Sequence, residues 1–426
     1  MAGMNIIVPL GGVGSRFQKE GYLKPKPFVR VLGKEMILWV IDSLQVSPGD
    51  TLVVVYNPRF LNMKHEMELV VDARPAVVLV ELPRPTLGAA ETVRFGLEGL
   101  SSTQRGRPCM LVDGDTFYAC DIVGKYRAIA HRAGASFCFH DTQPKPIYSY
   151  VTMPRRDDGD CSIDRVVEKV KISDWANTGC YCFRDGDELL AYCAKIIERG
   201  ETQLSQDQKG EFYTSGVIKA MLDDGLPFEG IVLDRGDMHV LGTPAQVVDF
   251  CHAWDKPPAY RVCFDIDNTL FSSPRVPGDY STCVPVKRTI DMLKALHASG
   301  HYIILHTARR MRTHAANVGA VVADVAPVTF KSLEDAGIPY HEIHFGKPWA
   351  QFYVDDHAVN AYSDLEKELG FYLPVNMPAL PSKYTTPAPS SSSSSSQSKN
   401  NAPPLPDVTP GGQPTTKKIW HLVNAS

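Results

Sequence analysis

Short β-branched apolar runs recur along this chain, each followed by a stretch of helical periodicity, and that alternation restricts the fold more than any other feature. Residues 5–9, 51–56, 77–82 and 110–112 read as strands, whereas residues 36–44 and 89–97 repeat apolar side chains at helical spacing. The rhythm predicts an α/β protein, a mostly parallel sheet covered by helices. It breaks at Trp254-Asp255-Lys256-Pro257-Pro258, where prolines stop any helix, and begins again at residues 261–264. The second unit is expected to hold a strand near Val262, a helix over 286–297, a strand over 301–305, a helix from about Thr313, and short strands before Gly346 and Asp355. We therefore expect one domain over residues 1–254 and another over 260–376.

A chain of 426 residues, 44% hydrophobic and 22% charged, has the length and composition for two such cores. Beyond about residue 377 proline, threonine and serine dominate, with an unbroken serine run at 390–396. Too little apolar surface remains there to offset the entropy of ordering, so residues 377–426 are expected to be a disordered tail. The formal net charge of −4 supplies no chain-wide basic field for a nucleic-acid backbone. No apolar run approaches the roughly 20 residues that span a bilayer. Nucleic acid and membrane are accordingly set aside as partners. The ten cysteines include no CxxC pair and fit a reducing, cytoplasmic compartment. The apolar run at residues 4–10 passes directly into glycines and reads as a first strand rather than a signal-peptide core.

Pro9-Leu10-Gly11-Gly12-Val13-Gly14-Ser15-Arg16-Phe17 leaves that strand through a glycine-rich loop. Backbone N–H groups in such a loop approach phosphate oxygens closely, and Arg16 adds positive charge. The loop lacks the Lys-Ser/Thr ending of a P-loop and has only part of the GxGxxG pattern, so taken alone it is equally a tight strand-to-helix turn. The continuation Lys24-Pro25-Lys26-Pro27-Phe28, then Gly33-Lys34-Glu35-Met36-Ile37, narrows the choice. In this order the elements resemble the sugar-phosphate nucleotidyltransferase family.

That resemblance implies a Rossmann-like mixed sheet, with Leu10, Gly11, Gly12 and Gly14 at the nucleotide and Arg16 and Lys26 as the cations that neutralise the reacting phosphates. Leu87-Gly88-Ala89-Ala90 resembles the base-contacting turn, which places Gly88 at the nucleotide. In Val112-Asp113-Gly114-Asp115, Asp115 matches the position that binds magnesium. Val167-Glu168-Lys169 and Asn177-Thr178-Gly179 resemble the elements facing the sugar phosphate, assigning Glu168, Lys169, Asn177 and Gly179 to the acceptor. The family's second metal-binding aspartate is Val240 here, and Asp237 or Asp234 could substitute for it. The implied reaction is attack by a substrate phosphate oxygen on the α-phosphorus of a nucleoside triphosphate, releasing pyrophosphate.

Cys263-Phe264-Asp265-Ile266-Asp267-Asn268-Thr269 ends another apolar strand and resembles the DxDxT signature of haloacid dehalogenase-type phosphatases. His306-Thr307-Ala308-Arg309, Gly346-Lys347-Pro348 and Val354-Asp355-Asp356 follow in the order of that superfamily's later motifs. The resemblance implies a Rossmann-like domain in which Asp265 attacks phosphorus and Asp267 is the acid and base. Thr307 and Lys347 would bind phosphate oxygens, and Mg2+ would sit among Asp265, Asp267 and Asp355 or Asp356. About 38 residues separate Thr269 from Thr307, leaving room for only a minimal cap.

Together the motifs imply a bifunctional enzyme. One half would use Mg2+ and a nucleoside triphosphate, CTP by slight preference over UTP or GTP, to activate a sugar phosphate or another small phosphorylated metabolite. The other would hydrolyse a phosphomonoester. Two other readings stay open on the sequence: a regulatory protein that senses nucleotide sugars, which Val240 favours, and a phosphatase whose first domain only binds substrate.

Overall fold

The computed structural model describes residues 3–59, 63–74, 77–154, 161–204, 210–255 and 258–374. The expected tail lies outside the described residues, as do Lys256 and Pro257 of the expected boundary. By their contacts, residues 1–384 form one compact unit.

The first half is built on a nine-stranded mixed sheet. Val77–Glu81, Thr51–Tyr56, Asn5–Leu10 and Cys109–Val112 lie side by side and parallel. Trp175–Phe183 pairs antiparallel with Cys109–Val112 and also with Gly134–His140, while Ser149–Thr152 and Arg165–Glu168 carry the sheet to its edge. The three inner parallel strands read as apolar runs because both of their faces are covered, whereas Val77–Glu81 leaves Val78 exposed. Ile6, Val8 and Val54 pack on one side with Met36, Ile37 and Val40 of helix Met36–Ser43. Ile7, Val53 and Val55 pack on the other with Val93 and Leu97 of helix Ala89–Glu98. Since Asn5–Leu10 and Cys109–Val112 are neighbours, the glycine loop and the Asp113–Asp115 turn leave the sheet side by side.

A separate sheet carries the second motif set. Arg261–Asp265, Tyr302–Thr307 and Glu342–Phe345 run parallel in that order. Both connecting helices, Lys287–Ala298 and Val318–Asp335, pack on the same face, as two successive crossovers of one hand in one direction require. There Phe264, Ile303 and Leu305 meet Ile290, Leu293, Leu296 and Leu333. The opposite face presents Arg261, Cys263, Asp265, His306 and His344, none of them buried.

Two expectations for this half are corrected. The helix expected from Thr313 begins at Val318, because Asn317 caps it by accepting the Ala320 amide, and the preceding residues are turns. The strand expected before Asp355 does not form. Phe352-Tyr353-Val354 has no ladder partner among the described residues, and Val354 is fully exposed. A β-branched run becomes a strand only where a neighbour takes its backbone hydrogen bonds. The chain ends its described path with helix Leu365–Leu369, after which residues 370–372 lie against the hairpin of Arg30–Val31 and Lys34–Glu35. Among the described residues no helix is long and apolar enough to cross a membrane.

Candidate functional site

Gly14 is the N-cap of helix Ser15–Lys19 and has φ +65°, and a Cβ on it would stand 2.7 Å from Lys26 Cβ. Glycine is therefore required twice over, for the left-handed turn and for the close approach of the Lys26 segment. Lys26 opens the short 3-10 turn Lys26–Phe28 and hydrogen-bonds through Nζ to the Asp115 carboxylate. Burial alone would raise the Asp115 pKa, but the charge and hydrogen bond of Lys26, with help from Thr116 and Arg16, hold it below the usual carboxylate range.

Asp113 stands beside this pair and was not among the residues the motifs single out. Its amide donates to Gly179 O at 2.9 Å, and its carboxyl lies against Gly179. Burial, then the charge of Asp115, pushes its pKa up. The sequence signal for it is plain in retrospect: a second carboxylate two residues earlier, at the end of a fully buried strand. Asp237 does not replace the missing aspartate next to Asp115. The ladder pairs Val240 with Thr116 and Met238 with Tyr118, which sends Asp237 to the far end, where its carbonyl accepts the Ala119 amide. Asp115 is instead met by backbone, its carbonyl accepting the Leu241 amide at 2.7 Å. Asp113 and Asp115 offer hard oxygen donors, and among the described residues no cluster of three His, Cys, Asp or Glu could hold a metal. This donor set fits Mg2+, which takes one or two carboxylates and fills its remaining positions with water and substrate phosphate.

Gly88, at φ +139°, lets the Leu87–Ala90 turn pair with residues 211–213; a Cβ there would lie 2.5 Å from Phe212 O. The Phe212 amide donates to Leu87 O at 2.8 Å, and the Ala90 amide donates to Phe212 O at 3.0 Å. Glu91 braces the turn by accepting the Leu87 amide at 2.6 Å and Arg84 Nη2 at 2.5 Å. The same 211–213 segment carries Tyr213, whose hydroxyl accepts from Lys169 Nζ at 2.6 Å while its ring lies 4.3 Å below the ammonium. Glu168 accepts the Ser215 hydroxyl at 2.8 Å, and burial raises its pKa. Tyr213 and Ser215 belong to no motif read from the sequence, yet they hold Lys169 and Glu168, the two residues expected at the acceptor. Asn177 marks a register break in Trp175–Phe183, accepting the Gly179 amide at 2.6 Å and donating to Ser136 Oγ. It shapes the strand on which Gly179 meets Asp113.

The second motif set converges in part. Lys347 Nζ donates to Asp265 Oδ1 at 2.8 Å; burial raises the Asp265 pKa, and Lys347 opposes that rise. Asp267 accepts Arg309 Nε at 2.9 Å and the Thr307 hydroxyl at 3.1 Å, so Thr307 is engaged with Asp267. Arg309, fully buried, also donates through Nη1 to Thr329 at 2.9 Å and stacks 4.6 Å over Tyr280. Asp355 and Asp356 are not brought in. They lie in the exposed segment that fails to pair, with Asp355 accepting the His357 amide at 2.7 Å and Asp356 3.7 Å from the His357 ring. No hydrogen bond or ion pair among the described residues links either to Asp265 or Asp267, so the magnesium set expected from Asp265, Asp267 and Asp355 or Asp356 is not assembled.

A family model described as nucleotidyl transferase matches residues 5–225, just over half the chain. Bifunctional protein GlmU of Thermodesulfovibrio yellowstonii is 23% identical over 253 residues, covering 57% of this chain and 50% of that protein. The chain thus spans about half the length of the curated relative it matches. Three solved structures are also similar. They are a nucleoside-diphosphate-sugar pyrophosphorylase from Vibrio cholerae RC9 (22% identity, TM-score 0.46, 57% of this chain and 98% of that one), the inositol-1-phosphate CTP transferase from T. maritima (14%, 0.41, 57% and 91%), and a UDP-glucose pyrophosphorylase complexed with UDP-glucose (13%, 0.45, 58% and 97%).

Proposed function

The chain belongs to the nucleotidyl transferase family, and from that premise we propose that its first half joins a nucleotidyl group to a sugar phosphate or related small phosphorylated metabolite, with pyrophosphate as the other product. The observation that carries the reading is the Lys26–Asp115 pair, with Asp113 beside it, where the glycine loop leaves the sheet. An acceptor phosphate oxygen would attack the α-phosphorus of the triphosphate, and the bond to the bridging oxygen would break. Lys26 and Arg16 bring positive charge to a reaction between two anions. Mg2+, when bound at Asp115 and Asp113, would supply further charge neutralisation. The loop of Leu10, Gly11, Gly12 and Gly14 would hold the triphosphate, Gly88 the base, and Glu168 and Lys169 the acceptor, with Tyr213 fixing the lysine. CTP is the first triphosphate to try, then UTP and GTP.

A second activity is favoured by the Asp265–Lys347 and Asp267–Arg309 pairs. Asp265 would attack a phosphomonoester while Asp267 protonates the departing oxygen. Asp267 would then deprotonate the water that cleaves the aspartyl-phosphate.

Pyrophosphate release by the full chain, with Mg2+, each common triphosphate and a panel of sugar phosphates and phosphorylated alcohols, tests the first activity. One productive pairing, its product identified by mass, is the expected result. Silence across the panel, with phosphate release that vanishes in Asp265→Asn, would sink the transferase reading in favour of a phosphatase with a binding domain.

A further inference from the structure

Residues 367–372 follow the second motif set in sequence, yet their contacts reach back to the segment that carries Lys26. The Leu32 and Gly33 amides donate to Gly370 O and Leu369 O at 2.9 and 3.0 Å. Lys367 Nζ donates to Glu20 O at 2.6 Å, and the Tyr372 and Tyr22 hydroxyls are 2.8 Å apart. Gly370 has φ +72°, and a Cβ there would stand 2.4 Å from Arg30 O, so any side chain at this position forces the two segments apart. Burial raises the pKa of both tyrosines, which keeps them neutral and able to share that one hydrogen bond.

The contacts form a continuous path to the transferase centre. Tyr22 is buried and meets the Phe17 ring edge-on at 5.1 Å. The Lys26 ammonium lies 5.8 Å over the Phe17 ring and ends on Asp115. Phe17 belongs to the helix that follows the glycine loop, so one packed column joins the strap, the loop helix and the catalytic lysine.

We infer that residues 367–372 are a strap supplied by the second half that positions Lys26 in the first, with Gly370 and Tyr372 as positioning residues for nucleotidyl transfer. The inference rests on the transferase reading for its activity readout alone. A strap that merely glued the halves together would leave the Lys26 ammonium as it is.

The full-length protein is compared with Tyr372→Phe, Tyr22→Phe, the double variant and Gly370→Val. Three quantities are read: amide hydrogen exchange over residues 15–36 with residues 261–307 as a fold control, labelling of Lys26 by acetic anhydride, and pyrophosphate release with Mg-CTP or Mg-UTP and glucose 1-phosphate. Each single phenylalanine variant is expected to raise exchange over 15–36 and Lys26 labelling about five-fold, the worth of one buried hydrogen bond. The double variant should add nothing further, because both changes remove the same bond. Any transfer should lose a similar factor in kcat with little change in nucleotide KM, since the lysine acts on charge that develops in the transition state. Gly370→Val should do more, and if it fails to fold the phenylalanine variants still decide. Unchanged exchange and labelling in the phenylalanine variants would overturn the strap. Raised exchange with unchanged Lys26 labelling would overturn its positioning role. A parent protein without turnover would count against the transferase reading, while exchange and labelling would still decide the strap.

Discussion

The two candidate centres share one device and differ in what surrounds it. In each, a lysine from a distant segment reaches an aspartate at or just past the end of a parallel strand: Lys26 to Asp115, and Lys347 to Asp265. The first pair sits where a sheet is covered on both faces, and a further half-buried carboxyl, Asp113, stands beside it with a raised pKa. The second sits on a three-stranded sheet covered on one face, and its other aspartate already has Arg309 and Thr307 as partners. The first centre thus gathers two carboxyls and two cations, Lys26 and Arg16, a set whose oxygens suit a divalent ion and whose positive charges suit a polyphosphate. The second has matched each carboxylate with a protein cation, which suits a site that must keep two acids apart in role.

The largest effect should come from removing the first lysine. Lys26→Ala is expected to lower nucleotidyl transfer by about 10²–10³-fold, the usual cost of deleting a preorganised charge at a reacting phosphate. Any Asp265-dependent phosphate release should stay at its parental rate. Equal losses in both activities would break the comparison, since they would mean one shared centre.

Next in size is the second centre's buried cation. Arg309→Met should cost roughly 3 kcal/mol in urea unfolding, because it takes the guanidinium away from Asp267, which keeps only the Thr307 hydroxyl, and from Thr329. The same measurement on Lys347→Met, whose ammonium is partly exposed, should give a clearly smaller loss. Equal costs would show that burial is not what separates the two cations.

How much of this was legible in the sequence follows from the same contrast. The central strands were readable because burial on both faces writes itself as an unbroken apolar run. Phe352-Tyr353-Val354 is also made of strand-favouring residues and forms no strand, since composition says nothing about whether a neighbouring edge is free to pair. Arg16, Lys26 and Asp115 were legible as motifs. Asp113 was not, because a motif match credits one carboxylate and leaves its neighbour as a turn residue. Tyr213 and Ser215 were invisible because they reach Lys169 and Glu168 only through the fold, on the segment that pairs with the Gly88 turn. Tyr22 and Tyr372 are 350 residues apart, beyond any local pattern.

A moderate effect tests whether Asp113 is a donor in reserve. Asp113→Asn should raise the Mg2+ concentration needed for half-maximal transfer by about ten-fold, as loss of a supporting metal contact does. Folding should survive, because an amide is no harder to bury than a carboxyl whose charged form burial already disfavours. An unchanged magnesium titration would return Asp113 to a purely structural role against Gly179.

The smallest effect carries the sharpest sign. Glu168 is largely but not fully buried against Ser215 and Lys169, and that burial raises its pKa above that of the unfolded chain. A raised folded pKa means the protonated form is the one the fold prefers. Its contribution to stability is complete below the unfolded value, roughly pH 4, and is lost as pH rises through the folded value. At neutral pH the ionised group therefore weakens the fold, a cost that an anion at the proposed acceptor subsite would explain. Glu168→Gln keeps the volume and an oxygen for the Ser215 hydroxyl, so at pH 7 its Tm should exceed the parent's, and the gap should close as pH falls toward 4. Asp115, whose pKa is held down, should show the opposite slope: its stabilisation is present above the unfolded value and is lost as acid protonates it. A Glu168→Gln gap that stays constant from pH 7 to 4 would mean that shape rather than charge sets the cost, and acceptor KM would then be the only property this carboxylate controls.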